Sequence, residues 1–556
     1  MNYLTQALRH RNLRAIISAF ISYLMLAGQV APLALAASGP AARLAPVAHV
    51  DASSPSASVN FAPAPAPLVL APNITATKTD SFPSHPSGKA QPGDIITYSV
   101  TVTNTGTDAT NVTLNDTVDP NTTIVAGSAH ATPIAQNESF NVLGNVRIQV
   151  PDGASDLLAN DVNPDTGTNA GLTASGPTTG PSHGQATVAA DGSFTYNPAP
   201  GYEGPDSFTY TVTSANGSTT ATANLTVTGM IWFVNATAPA GGDGRLTNPF
   251  NCLVGAGCFD PAAADDIGDN IFLFSGNYTG GLTLLNNQKL IGQGASATLQ
   301  VISGVTVPPN SDALPSTAGA NPVVTTAGAI NGVTLGQGNT LRGFTIGNTG
   351  GAKILGSNFG TLTVGNNAAP DMTLNGTGQA LNLATGTFAA TSGFSSVTST
   401  SSGTQGIVMT PNVAGTVSFG STTISGSTTQ GILLSGSTVT INFGNTSVTG
   451  GTDAISLQNN SSGTRTFGTI TTLNNSGVGF LHGGGGGTTT AGATTITNPG
   501  GRGIDIQNST TQVTFGNTNV SSSAGTGIFL NTNGGGVTFA DLDIAPDAGQ
   551  RALLAQ

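Results

Sequence analysis

The sequence predicts a mainly β protein whose C-terminal half is a solenoid, and three observations carry that expectation. Phenylalanine recurs at 394, 419, 443, 467, 515 and 539, at spacings of 25, 24, 24, 48 and 24, with Ala491 standing where the missing member falls. A second element keeps step with it: Gly406-Ile407-Val408-Met409, Gly431-Ile432-Leu433-Leu434, Ala454-Ile455-Ser456-Leu457, Gly479-Phe480-Leu481-His482, Gly503-Ile504-Asp505-Ile506 and Gly527-Ile528-Phe529-Leu530. A β-unit of ~24 residues cannot bury its apolar face alone and must stack on its neighbours. Composition agrees, with 7% charged and 5% aromatic residues, 38% hydrophobic, and long Gly/Thr/Asn tracts alternating with Val, Ile and Phe. That mixture suits strands and turns far better than helices.

Residues 1–36 read as an export signal. Arg9, Arg11 and Arg14 form a basic front, Ala15 to Ala27 is an apolar run, and Ala34-Leu35-Ala36 offers small residues for cleavage. The run is shorter than the ~20 residues a membrane-spanning helix needs, and no later segment could cross as a helix. Residues 37–72 are Ala/Pro/Ser-rich, with Ala62-Pro63-Ala64-Pro65-Ala66-Pro67 at their centre, and predict an extended spacer. The net charge is −12, Lys and Arg together number 14, and no basic cluster follows the N-terminus, which argues against nucleic acid as a partner.

From Asn73 the pattern changes to alternation, with Ile95, Thr97, Ser99, Thr101 and Thr103 on one face of a strand and Ile96, Tyr98, Val100 and Val102 on the other. Pro92-Gly93-Asp94-Ile95-Ile96-Thr97-Tyr98, Val102-Thr103-Asn104-Thr105-Gly106 and Asn111-Val112-Thr113-Leu114-Asn115-Asp116-Thr117 resemble the DUF11 repeat of bacterial surface proteins. That resemblance implies an Ig-like β-sandwich over 73–135, acting as a stalk module.

Residues 136–228 hold a second set of strands, with turns at Asn163-Pro164-Asp165, Asp191-Gly192 and Asn216-Gly217. Leu158-Ala159-Asn160-Asp161, His183-Gly184, Asp191-Gly192-Ser193-Phe194-Thr195-Tyr196-Asn197-Pro198 and Asp206-Ser207-Phe208-Thr209-Tyr210-Thr211-Val212 resemble the cadherin-like repeats of bacterial adhesins. Phe194, Tyr196, Phe208 and Tyr210, at strand period two, are expected in or near the core. Asn160, Asp161, Asn163 and Asp165 crowd oxygen donors into six residues, an arrangement that suits calcium, the one cofactor the sequence offers. An Asx-rich turn bonded to its own backbone is the alternative.

Residues 229–556 open with Ile231-Trp232-Phe233-Val234-Asn235, Gly242-Asp243-Gly244 and Asn248-Pro249-Phe250. Gly268-Asp269-Asn270-Ile271-Phe272-Leu273-Phe274, Gly276-Asn277-Tyr278 and Leu290-Ile291-Gly292-Gln293-Gly294 follow. The succession resembles the start of right-handed parallel β-helices of the pectate-lyase-like superfold, and the resemblance supplies the handedness. The full expectation is two Ig-like β-sandwich domains followed by a right-handed parallel β-helix with ~24-residue coils. Cys252 and Cys258, the only cysteines, suit a disulfide in an exported chain, since the spacing does not fit a CxxC metal or redox site.

Within the repeats, residues two apart face the same way, so Ile407 with Met409, Ile432 with Leu434, Ile455 with Leu457, Ile504 with Ile506 and Ile528 with Leu530 form inner ladders. Phe419, Phe443 and Phe467 make a third. The residue between points outward and reads Val408, Leu433, Ser456, Leu481, Asp505 and Phe529 down the stack, a row with one acid. The β-helix polysaccharide lyases and hydrolases would imply clustered carboxylates there, because cleavage needs an acid and a base, or calcium, around one linkage. Asp453 stands two coils from Arg502 and Asp505, and before Phe394 only Arg342 and Asp371 are tempting, so no catalytic residue is assigned and the chain reads as no enzyme. Gly180-Pro181-Ser182-His183-Gly184 fits GxSxG but lies in a hairpin loop and not on a strand-to-helix elbow. The Gly483–Gly487 run after His482 reads as a bulge between coils. At the C-terminus, either the repeat is truncated or Arg551 to Gln556 folds over as a small helical cap. Expected is an exported, non-catalytic cell-surface protein, an adhesin or structural stalk whose partner is a polysaccharide or a host or neighbour cell surface. The alternative is a secreted polysaccharide lyase, hydrolase or carbohydrate-binding protein using the outer groove of the β-helix.

Overall fold

A computed structural model describes residues 71–83, 88–107, 112–259, 265–460 and 462–556. The export signal at 1–36 and all but the last two residues of the 37–72 spacer lie outside these. The chain divides into two compact units, Met1–Asn121 and Thr122–Gln556.

In the first unit, alternating Thr, Val, Ser and Tyr give two antiparallel strands, β1 (Ile74–Ser81) and β2 (Thr97–Asn104), in register from Ile74↔Asn104 to Ser81↔Thr97. Lys78 holds them to the following segment by bonding both oxygens of Asp116 and sitting 4.2 Å from the Tyr98 ring centroid. The sandwich expected across 73–135 is not formed among the described residues. Ile95 is 69% exposed, and Tyr98 and Val102 are also open. Alternation specifies strands, but a core needs a second layer to cover one face, and two strands supply none.

The second unit begins with a sandwich. One sheet holds β3 (Glu138–Gly144), β5 (Thr173–Thr179), β8 (Gly204–Ser214) and β9 (Gly217–Val234). The other holds β4 (Ile148–Val150), β6 (Gly184–Val188) and β7 (Phe194–Pro198). Period-two alternation sends Phe194, Tyr196, Phe208, Tyr210 and Val212 into the space between the sheets, where all are buried. The Tyr210 hydroxyl lies 2.8 Å from the Leu157 carbonyl oxygen and within hydrogen-bond distance of the Glu138 carboxylate, so its polar end is satisfied inside the core.

β9 does not stop at the sandwich. Its first part pairs with β8 and β3, while Ile231–Val234 pairs in parallel with Asn270–Leu273 as the first strand of the solenoid. The run Ile231-Trp232-Phe233-Val234 is apolar throughout because both of its faces are covered. Trp232 and Val234 enter the solenoid core. Ile231 and Phe233 pack outside it with Leu143 and Val146 of the sandwich, and with Leu299 and Ile302 of a short helix, Leu299–Ser303. Asn145 pins the junction, its amide donating to the Ile231 carbonyl (3.1 Å) and accepting from the Gly201 N–H (2.9 Å). Arg147 pairs with Asp312 at 3.1 Å on the same seam.

The solenoid is built of parallel ladders. One face is an 11-stranded sheet running from Leu282–Thr283 to Leu553–Ala555, among the described residues. The repeat register is kept strand by strand: Ile407↔Ile432↔Ile455↔Phe480↔Ile504↔Ile528, and Phe394↔Phe419↔Phe443↔Phe467↔Ala491↔Phe515↔Phe539. Phenylalanine rings pack along the axis, Phe419–Phe443 edge to face at 5.0 Å and Phe443–Phe467 stacked at 4.7 Å between centroids. Where Ala491 interrupts the stack, the ring of Phe480 enters from the neighbouring face, 6.2 Å from Phe467 and 5.2 Å from Phe515. The large residue has changed ladders within one coil, so the core volume is kept.

Close backbone approach explains the glycines that follow Phe419 and Phe443. A Cβ on Gly444 would lie 1.5 Å from the Gly420 carbonyl oxygen, so no side chain fits. One corner takes left-handed backbone at Asn474 (φ 55°) and Asn498 (φ 53°), where the Asn498 amide donates to the Asn474 side-chain oxygen at 2.8 Å. The C-terminal residues form no helix. Leu553–Ala555 pairs in parallel with Ile528–Leu530, because Leu553-Leu554-Ala555 continues the strand pattern of the row above. Cys252 and Cys258 are bonded, with Cα atoms 4.9 Å apart.

Candidate functional site

The row Val408, Leu433, Ser456, Leu481, Asp505, Phe529 does point away from the core, yet it is not open. Val408, Ser456, Asp505 and Phe529 are buried. Each lies between same-register neighbours, and long side chains from nearby positions fold over Ser456, Asp505 and Phe529. Gln458 donates to the Ser456 hydroxyl (2.7 Å) and Gln507 to Asp505 (2.8 Å). Arg502 bonds Asp505 at 2.7 Å and stacks 3.6 Å from the Phe529 ring centroid. The acid of this row is therefore held by a guanidinium and an amide. Asp453 does not reach it, since its oxygen accepts the Val478 N–H at 2.9 Å.

Arg342 and Asp371, from neighbouring coils, meet in a bidentate pair at 2.7–3.1 Å. Ser296 completes the cluster, its N–H and hydroxyl donating to the same carboxylate oxygen at 2.9 and 3.0 Å, and its hydroxyl accepting from Arg342 at 3.0 Å. The Asp371 side chain is 3% exposed and that of Arg342 11%. The cluster ties the segment that carries the short helix to the solenoid wall, and both Asp371 carboxylate oxygens are bonded within it.

Of the four residues in the oxygen-rich turn, two converge and two do not. Asn163 forms an Asx turn, accepting from the Asp165 N–H (3.2 Å) and donating to the Ala170 carbonyl (3.0 Å), while Asp165 accepts from the Asn216 amide. Asn160 and Asp161 instead lie beside Glu138, which the sequence reading did not single out. Asp161 accepts the Gln136 N–H at 2.7 Å through one oxygen. Its other oxygen, and the Glu138 oxygen not bonded to Tyr210, are buried without a protein partner. Burial first, and then the neighbouring Asp161 charge, pushes Glu138 up to about 7. Burial likewise raises Asp161 to about 6, with the Asp156 charge adding to it. Asp152, Asp156 and Asp191 line a nearby solvent-open cleft of about 420 Å³. Asp156 is tied to the N–H groups of Gly153 and Leu158, and Asp191 to Ser193. Among the described residues no three His, Cys, Asp or Glu side chains converge to hold a metal.

In the Gly180–Gly184 loop the N–H groups of Ser182 and His183 both donate to Asp206, at 2.9 and 3.0 Å, and the His183 ring stacks on Tyr202 at 4.0 Å. Asp206 anchors the loop, so the GxSxG spacing serves a turn.

Lys353 also went unnoticed in the sequence. It is fully buried and donates to the carbonyls of Gly376, Thr377 and Gly378 in the next coil, and burial lowers it to about 8 from an ordinary 10.5. Between those values the unfolded chain binds more protons than the folded one, so stability rises with pH across the window. Urea unfolding at about pH 9.5 is expected to show roughly 1.5–2 kcal/mol more stability from this group than at pH 8, with the gain missing in Lys353→Met.

Comparison with known proteins follows the domain division. Residues 130–228 match the family model described as Bacterial Ig domain (Big_9). No curated protein matches the chain. Among solved structures, an endo-fucoidan hydrolase of glycoside hydrolase family 107 aligns at 18% identity over 28% of this chain and 23% of its own, with a TM-score of 0.15. The chain thus aligns with under a quarter of that protein's length, a likeness too slight to bear on fold or function.

Proposed function

We propose that the chain is an exported, non-catalytic surface protein in which the Ig-like domain and the solenoid act together as a stiff stalk that presents the solenoid wall. The observation that carries this reading is β9, which is both the last strand of the sandwich and the first of the solenoid. A bacterial Ig domain fused to a β-solenoid suits a surface or structural protein. The finer likenesses to cadherin-like repeats and to right-handed helices of the pectate-lyase-like superfold point the same way. Adhesion to a polysaccharide or to a neighbouring cell surface is the corresponding role. The outward acids support a passive wall, because Asp371 and Asp505 are each bound by an arginine and do not face one another. Incubating the chain with acidic polysaccharides and calcium tests this directly. The expected ultraviolet absorbance trace for unsaturated or newly cleaved ends is flat, with retention of the chain on one of the immobilised polymers. A sustained rise that disappears in Asp505→Ala would instead make the protein a lyase.

A second reading, for calcium, rests on the two buried carboxylate oxygens of Glu138 and Asp161 that lack a protein partner beside Asn160. Of the four turn residues proposed from sequence, Asn160 and Asp161 then act with Glu138, while Asn163 and Asp165 shape the loop. Calcium at about a hundred times its dissociation constant would stabilise the domain by roughly 2.7 kcal/mol. The Tm of the chain is expected to rise with millimolar calcium and to stop responding in Asp161→Asn. An unchanged Tm in the unmodified chain removes this reading.

A further inference from the structure

The coil between Phe480 and Thr497 gathers the exceptions to the repeat: a phenylalanine in the isoleucine ladder, an alanine in the phenylalanine ladder, a histidine at an inner position and five consecutive glycines. One further exception sits on the coil before it. Arg465 occupies the inner column held by Ile441 above and Thr489 below, and is 0% exposed.

The glycine run is the cradle of this side chain. Arg465 Nη1 donates to the Gly486 carbonyl (3.2 Å) and Nη2 to the Ser462 carbonyl. A Cβ on Gly487, itself at φ 90°, would stand 2.5 Å from Nη1. The bulge between coils is therefore shaped around a guanidinium. Two of its five donors are used by carbonyls. Among the described residues it has no carboxylate within ion-pair distance, and its lowered pKa, about 10, has burial as its one cause.

Three buried polar atoms without a partner belong to this spot: Arg465 Nε, the Thr489 hydroxyl and His482 Nδ1. Arg465 and Thr489 are in register on adjacent coils, and His482 lies in the same coil as Thr489, close enough for the arginine charge to act on its ring. A guanidinium N–H, a hydroxyl and an imidazole nitrogen able to carry the ring proton form a set of donors. A charge taken out of water needs a counter-charge or a full set of hydrogen bonds.

We propose that Arg465, Thr489 and His482 form an internal binding site for a small monovalent anion, chloride, enclosed in the solenoid as it folds. One formal positive charge matches one negative charge. The site belongs to the fold and is independent of the surface role proposed above. In this view the irregular coil is a place where the repeat exchanges hydrophobic stacking for an ion.

Crystals of the full chain grown from a chloride buffer, with diffraction recorded at long wavelength, test the proposal. An anomalous peak within about 3.5 Å of Arg465 Nε, Thr489 Oγ1 and His482 Nδ1 is expected. Density there that fits water without anomalous signal, or no density, overturns it. In solution the Tm is expected to be higher in sodium chloride than in sodium gluconate at equal ionic strength, with the difference reduced in Thr489→Val and lost in Arg465→Met. Equal Tm values in the two salts for the unmodified chain also overturn it, and neither reading of the unmodified chain depends on a variant folding.

Discussion

Phe480→Ala is expected to destabilise the solenoid by about 3–5 kcal/mol, the loss seen when a large aromatic leaves a packed core. Ala491→Phe alone is expected to destabilise it by about 1–3 kcal/mol, because the added ring enters space that Phe480 already fills. Combined, the two changes put the ring back in the phenylalanine ladder and leave a small residue in the other. The double variant is therefore expected to be more stable than the sum of the single effects predicts, by about 2–3 kcal/mol. Denaturant unfolding of the four chains measures this coupling. Additivity within about 0.5 kcal/mol would mean that the two positions do not share one volume, contrary to the 6.2 and 5.2 Å ring distances from Phe480 to Phe467 and Phe515.

Asp371→Ala is expected to cost about 3–5 kcal/mol, since it leaves the guanidinium of Arg342 largely buried with no carboxylate. The serine that bonds both partners would lose its acceptor as well. Arg342→Met combined with Asp371→Leu removes both charges and is expected to recover most of that loss, as buried pairs replaced by apolar residues of similar size often do. The same variants separate structure from chemistry. If this cluster only fastens the helix-bearing segment to the wall, the double variant keeps full polysaccharide retention. A double variant that is stable but no longer retained would show that the pair contacts the ligand.

How far the sequence disclosed this molecule depends on the kind of signal. The coil register was legible because one residue type marks the same inner position turn after turn, and stacking is a local rule. The sandwich core at Phe194, Tyr196, Phe208 and Tyr210 was legible for the same reason, with period two in place of the coil period. Alternation in Thr97–Asn104 gave strands correctly but overstated the module, since nothing in a strand pattern says whether a second layer covers it. The outward row gave directions and not exposure: whether Asp505 meets solvent is decided by Arg502 and Gln507 folding across it. Glu138 was missed because its partners, Asn160 and Asp161, are more than twenty residues away in sequence. Arg465 and the glycines of 483–487 were both visible, but a bulge acquires its meaning from the side chain it encloses, and that side chain belongs to the previous coil.

β9 also bears on how such a protein can be inherited. Domains joined by a linker can be recombined at the linker, because any partner accepts a flexible end. Here the boundary lies inside one strand whose first part alternates buried with open positions and whose last five residues are buried throughout. A crossover within Gly217–Val234 would have to supply both patterns in the correct phase, together with Leu143, Val146 and Asn145 from the other side of the joint. The sandwich and the opening coils are thus a single unit of exchange, and a graft of the solenoid onto another stalk has to carry the Ig-like domain with it.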